Sequence, residues 1–220
     1  MSELLKPGRD NWYRNEQWSF DIESAFLTKL NRTRGQGHQY LRIQADHLVD
    51  HFPLASLRLI DLYFERWSDP FSDGSAYVCR SQAQVVLHQL ERAADSLEAA
   101  MAWQISNPNH QIGAEKKYCL LVAEHAMKNR YAIAKQLLSQ ADLADEVFPL
   151  GRFELSAASA LISADDGELD SAEYSANRAI LEADTITSGF PRHSKAGLVT
   201  EGAARLVSSL KRLAQREEPE

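Results

Sequence analysis

Asp46, His47, Asp50 and His51 form the most chemical-looking string in the chain. Histidines four residues apart share a helix face, the spacing at which imidazoles hold zinc. The glutamate of a His-Glu-x-x-His site is absent, however, and Pro53 places a helix end near His51. A metal on His47 and His51 is therefore the weaker alternative to a solvated helix end. Guanidinium chemistry is better represented. Lys29, Arg32, Arg34 and Arg42 gather around Gly35 and Gly37, and an arginine fork grips a carboxylate through two parallel bonds. This group suits an acidic peptide or a terminal carboxylate; the duller reading is a solvated turn that keeps the protein soluble. Arg192 and His193, in the loop with Gly189, Phe190 and Pro191, offer a fainter ligand signal. Asp165 and Asp166 fall in a turn, where they are expected to cap the next helix. There is no nucleophile elbow, no phosphate-binding glycine loop and no cysteine pair at metal spacing. The sequence thus predicts no enzyme and no cofactor.

The elements that would carry these groups are helical. Trp18, Ile22, Phe26 and Leu30 recur every four residues, predicting an amphipathic helix over 16–31. Tyr40, Leu41, Ala45 and Leu48 start a second, and Pro53 opens a third over 53–67. Residues 68–75, 107–113 and 148–151, rich in Pro, Gly, Asn and Asp, predict breaks. Between them helix is expected over 76–105, with a kink or short turn at 88–91, then over 114–128 and 131–146. Residues 152–164 and 168–184 pair across a turn at Gly167, and a last helix covers 196–215. No apolar run alternates as a strand would. The aromatics Trp12, Tyr13, Trp18 and Phe20 are expected to fold back onto the array, with a partner-binding hot spot as the alternative.

Ala55, Ala94, Ala134 and Ala172 stand 39, 40 and 38 residues apart, each inside an amphipathic stretch, which is the mark of stacked helix pairs. A single pair cannot bury its apolar stripe, so neighbours must cover it and the terminal helices must act as lids. The alternative is an irregular helical bundle. The net charge is −7, with 11 Lys and Arg against 14 Asp and Glu in residues 1–110 and 13 against 17 beyond. Neither half is basic enough for a nucleic-acid clamp. The start lacks an apolar leader core and no run of apolar residues spans a membrane, which predicts a soluble, cytoplasmic protein with no membrane partner. Cys79 and Cys119, 40 residues apart, are read as buried packing residues.

Residues 36–184 resemble the tetratricopeptide repeat. In the closest unit, 153–184, Gly167 takes the turn, Ala172 is the small residue early in the second helix, and Ala179 follows seven residues later. The third unit has Ala134 and Ala141 after Tyr131. Tyr40, Tyr118 and Phe153 each precede an alanine (Ala45, Ala123 and Ala158) by five residues; Tyr77 and Ala83 are off by one. The family's early tryptophan, first-helix glycine and terminating proline are missing, and the period exceeds its usual value of about 34. The resemblance implies about four units in a right-handed superhelix with a concave groove for peptides or protein segments.

The expected protein is all-α: an α-solenoid of tetratricopeptide-like hairpins with capping helices at both ends. Residues 1–35 supply an aromatic segment and cap, 36–184 the array, and 185–220 a loop and cap. The expected function is a protein- or peptide-binding adaptor whose ligand carries acidic groups. The candidate groove residues are Arg34, Tyr40, Arg42, Gln44, Tyr77, Gln84, Lys117, Tyr118 and Phe153. The rivals are a self-associating structural subunit, such as a homodimer, and a small-molecule or metal-binding sensor or enzyme.

Overall fold

The computed structural model describes residues 11–215; the expectations for residues 1–10 and 216–220 lie outside them, as does the side chain of Pro191. The described residues are helical and contain no strand. None of their helices is long and apolar enough to cross a membrane. The chain forms two compact units, Met1–Ile112 and Gly113–Glu220.

In the first unit, α1 covers Phe20–Leu30. Ser19 caps it, its hydroxyl accepting from the Ile22 N–H, and Asp21 and Glu23 meet the positive end of the helix dipole. Helix α2 spans Gly37–Leu48, and α3 spans Pro53–Leu62 with proline in its first turn, where a missing N–H costs nothing. A π-helical stretch at Tyr63–Trp67 prolongs α3. The ring of Trp67 lies where a Cβ on Gly37 would stand, so only glycine lets these elements meet. Helices α4, Asp73–Val86, and α5, Leu90–Ser106, form the next hairpin. The short turn expected at 88–91 is a full reversal, with His88 in the left-handed region at φ 56°. Helix α2 packs on α3, α3 on α4 and α4 on α5, while α2 also touches α4. Leu41, Leu48, Leu59 and Ile60 are almost wholly buried in this core, each stabilising the fold by about 1.5–3 kcal/mol relative to exposure.

The second unit begins at Gly113, whose left-handed φ of 67° starts α6, Ala114–Glu124. A 3-10 turn, Lys128–Arg130, leads into α7, Tyr131–Gln140. Helix α8 spans Pro149–Asp165 and α9 spans Leu169–Ala183, separated by Gly167 at φ 82°. The expected break at 148–151 is instead the start of α8: Pro149 occupies its first turn, and the bare backbone of Gly151 admits the Glu146 side chain. Ser159 with Ser175, and Ser163 with Ser171, join α8 to α9 at 3.1 Å each. Helix α10, Ala204–Gln215, is shorter than expected at its start, and packs Leu206, Val207, Leu210 and Leu213 onto α8 and α9.

Asp165 and Asp166 do not cap α9, whose N-cap residue Glu168 makes no side-chain cap bond. They reach back instead. Asp165 pairs with Lys128 at 3.0 Å and Asp166 with Lys135 at 2.6 Å, and the Tyr131 hydroxyl also bonds Asp165. The turn after α8 therefore tethers α7 and the 3-10 turn that precedes it. Because the lysines are well exposed, we expect Asp165→Asn with Asp166→Asn to cost only about 0.5–1 kcal/mol, a difference that should vanish in about 1 M salt when denaturation midpoints are compared. A loss that persists in salt would mean the tether is not electrostatic.

Candidate functional site

Helix register decides which candidate side chains a ligand could touch. Helix α2 turns Leu41, Gln44, Ala45 and Leu48 inward, leaving Tyr40 and Arg42 half-buried at the edges of that stripe, while Arg34 is exposed in the loop before it. Gln44 is completely buried, yet its amide faces a peptide rather than aliphatic carbon. Its Oε1 accepts from the backbone N–H of Asn15 at 2.9 Å and from Asn15 Nδ2 at 2.8 Å, and its Nε2 donates to the Asn15 carbonyl at 2.8 Å. The Tyr40 ring meets Trp12 and Tyr13 at centroid distances of 4.9 and 4.6 Å. Residues 12–15 of the chain thus lie across two of the candidate groove residues. Trp12, Tyr13 and Trp18 pack against the core, whereas Phe20 projects into solvent.

Four of the other candidates fare differently. Tyr77 is half-buried with its ring against Phe64 at 4.6 Å. Gln84 lies inside the α4–α5 hairpin and accepts from the Ser96 hydroxyl at 2.7 Å. Tyr118 is fully buried and Phe153 is 1% exposed, so both are core side chains with no surface for a ligand. The reason is register: at their positions the aromatic ring points into the packed interior, and residue type alone does not separate a core ring from a groove ring.

Lys117 is partly exposed and pairs with Glu154 at 3.4 Å. Glu154 escaped the sequence reading, and it is the most buried carboxylate among the described residues. Burial pushes its acid strength down, raising its pKa above the ordinary glutamate value; the charge of Lys117 opposes this without cancelling it. The signal was available: Leu150, Ala157 and Ala158, at i−4, i+3 and i+4, place Glu154 in an apolar stripe. Beside it, Lys116 pairs with Glu146, and Arg152 bonds Glu182 at 2.8 Å and the Glu146 carbonyl at 2.7 Å. These ion pairs stitch α8 to α6 and α9. In the first unit a second unforeseen polar cluster joins Tyr63, Ser68, Asp69, Ser72 and Asp73, with His38 at 3.7 Å from Asp69.

Comparison with protein-family models, with curated proteins and with solved structures finds no match to this chain.

His47 lies in α2, but the helix ends at Leu48, so His51 belongs to the following turn. Among the described residues no three His, Cys, Asp or Glu side chains gather closely enough to share a metal ion. Cys79 and Cys119 are unpaired and buried, as their spacing predicted, and burial lifts each thiol to about 12, far from the reactive range. In the loop at 189–193, Ser188 closes the turn through the Ser194 and His193 carbonyls, leaving Arg192 and His193 exposed.

Proposed function

We propose that the chain is a helical-repeat adaptor, tetratricopeptide-like in its hairpins, that binds an acidic protein or peptide segment. The observation that carries this reading is the placement of the four evenly spaced alanines. Ala55, Ala94, Ala134 and Ala172 each fall on the second helix of a hairpin, in α3, α5, α7 and α9, and each is buried. Packing order supports it further. Within each unit the first helices of successive hairpins touch, α2 with α4 and α6 with α8. The second helix of one hairpin also lies against the first helix of the next, α3 on α4 and α7 on α8. That is the neighbour pattern a stacked array requires. Helix α10 covers the final hairpin, and α1 lies on α2, as lids would. Two unpaired thiols suit a reducing, cytoplasmic setting.

Recognition rests on Arg34 and Arg42, which retain exposed surface beside α2. Arg34→Glu together with Arg42→Glu is expected to reduce capture of the partner by about ten-fold, with a steeper loss for wild type as salt rises. Affinity capture from the native cell, quantified by mass spectrometry for both chains, is the test. Equal recovery of the same proteins by both would remove the electrostatic part of the proposal, and recovery of none would remove the adaptor itself.

A further inference from the structure

We propose that residues 12–15 occupy in cis the ligand site of the first hairpin, and that a partner segment replacing them carries two adjacent large aromatics, one free position and an asparagine. The inference rests on the adaptor reading and sharpens it. Gln44 engages both the N–H and the C=O of a single residue, Asn15, and adds its side-chain amide. An amide that reads both backbone groups of one residue recognises a peptide, and the asparagine contact gives that recognition one specific position. The Asn15 amide also donates to the Trp12 carbonyl at 2.7 Å, holding the segment in a turn that presents Trp12 and Tyr13 together. Trp12 lies on Tyr40 and on Phe26 at 5.3 Å, and the Lys29 ammonium stands 5.9 Å from its ring.

The segment is placed to leave without dismantling the unit. Trp12, Tyr13 and Asn15 are only half-buried and Arg14 is exposed, whereas Leu41, Ala45 and Leu48 behind them are completely buried. Glu16 and Gln17 are exposed and separate the segment from α1. The helix has anchors of its own: the Trp18 indole donates to Glu23 at 3.1 Å and Ser19 caps the first turn. Release of residues 12–15 exposes the Gln44 amide, one face of Tyr40 and the side of Phe26 that Trp12 covers, while Trp18 stays on Phe26 at 5.8 Å and keeps α1 anchored. Competition by a tethered segment lowers apparent affinity by the fraction of time the site is free.

The test uses the full chain and a fluorescein-labelled peptide with the sequence of residues 11–19. Asn15→Ala weakens the tethered copy but not the probe, so this variant should bind the probe about ten-fold more tightly than wild type. Adding Gln44→Ala should abolish the gain. Hydrogen exchange on the unaltered protein gives a second reading that no variant can confuse. The Asn15 amide should exchange about 100-fold faster than those of Leu41, Ala45 and Leu48, through a local opening. Probe affinity equal in wild type and a folded Asn15→Ala chain, or exchange of Asn15 only with the core amides, overturns the proposal. Should partner capture depend on Arg34 and Arg42 while these two results fail, the adaptor reading survives and the cis occupant does not.

Discussion

Replacing Asp73 by alanine is expected to destabilise the first unit by about 3 kcal/mol, read as a lower denaturation midpoint at unchanged slope. Its carboxylate opens α4 and gathers three donors: the Tyr63 hydroxyl at 2.8 Å, the Ser68 hydroxyl at 3.0 Å and the Asp69 N–H at 3.2 Å. As the first residue of the helix it also sits at the positive end of the dipole. Together these bonds fix the chain reversal between the π-helical stretch and α4. Tyr63 has no exposed surface, and burial, reinforced by the bond to Asp73, holds its phenol far above the usual range. It therefore remains a donor at every working pH. Alanine leaves that hydroxyl still accepting from the Asp69 N–H at 3.2 Å but with only the Asp69 carbonyl, at 3.3 Å, to donate to, inside a packed core where a poorly satisfied donor is costly. Tyr63→Phe removes the orphan, so the double variant should lose less than the sum of the two single ones. Strict additivity, or a loss below about 0.5 kcal/mol for Asp73→Ala, refutes this account.

Where periodicity and punctuation agreed, the sequence was legible. Pro53, Gly167 and the breaks at 68–75 and 107–113 delimit helices close to those observed, because each rests on a backbone constraint that tertiary packing rarely overrides. Two reversals carried no such mark. His88 and Ala126 take the left-handed conformation, at φ 56° and 46°, without glycine; the first completes the α4–α5 hairpin and the second follows the end of α6 at Glu124, four residues before the expected end. What fixes them is the packing of helices on either side, which no local residue type records. At 148–151 the same proline and glycine that signal a turn elsewhere start α8, since proline is as acceptable in a first helical turn as in a loop. The candidate site divides along similar lines. Tyr40 and Gln44 contact a peptide segment, although it is the chain's own, while Gln84, Tyr118 and Phe153 belong to the interior. Telling these apart needs helix register to within one residue, finer than periodicity supplies.

Lys117→Met should cost about 2–4 kcal/mol at neutral pH and distinctly less in acid. Glu154 is 7% exposed, and the Lys117 ammonium 3.4 Å away supplies most of the compensation for holding a carboxylate there. Without it, the folded chain must either keep an unneutralised buried charge or bind a proton. In wild type, burial already raises the Glu154 pKa above that of the unfolded chain, in spite of Lys117 and Lys116. Between those two values the folded state holds more protons than the unfolded state. Stability therefore falls as pH rises through that window and levels off above it. Removing Lys117 widens the window upward, so the penalty grows from acid to neutral pH. Glu154→Gln closes it: a neutral amide keeps the shape, carries no desolvated charge and should abolish this share of the pH dependence. In the Lys117→Met background it should recover most of the lost stability. Denaturation midpoints for the four chains at about pH 5 and about pH 8 decide the matter. If Lys117→Met is equally destabilised at both values and Glu154→Gln rescues nothing, the lysine acts through its aliphatic stem and the buried charge is not what the pair exists to neutralise.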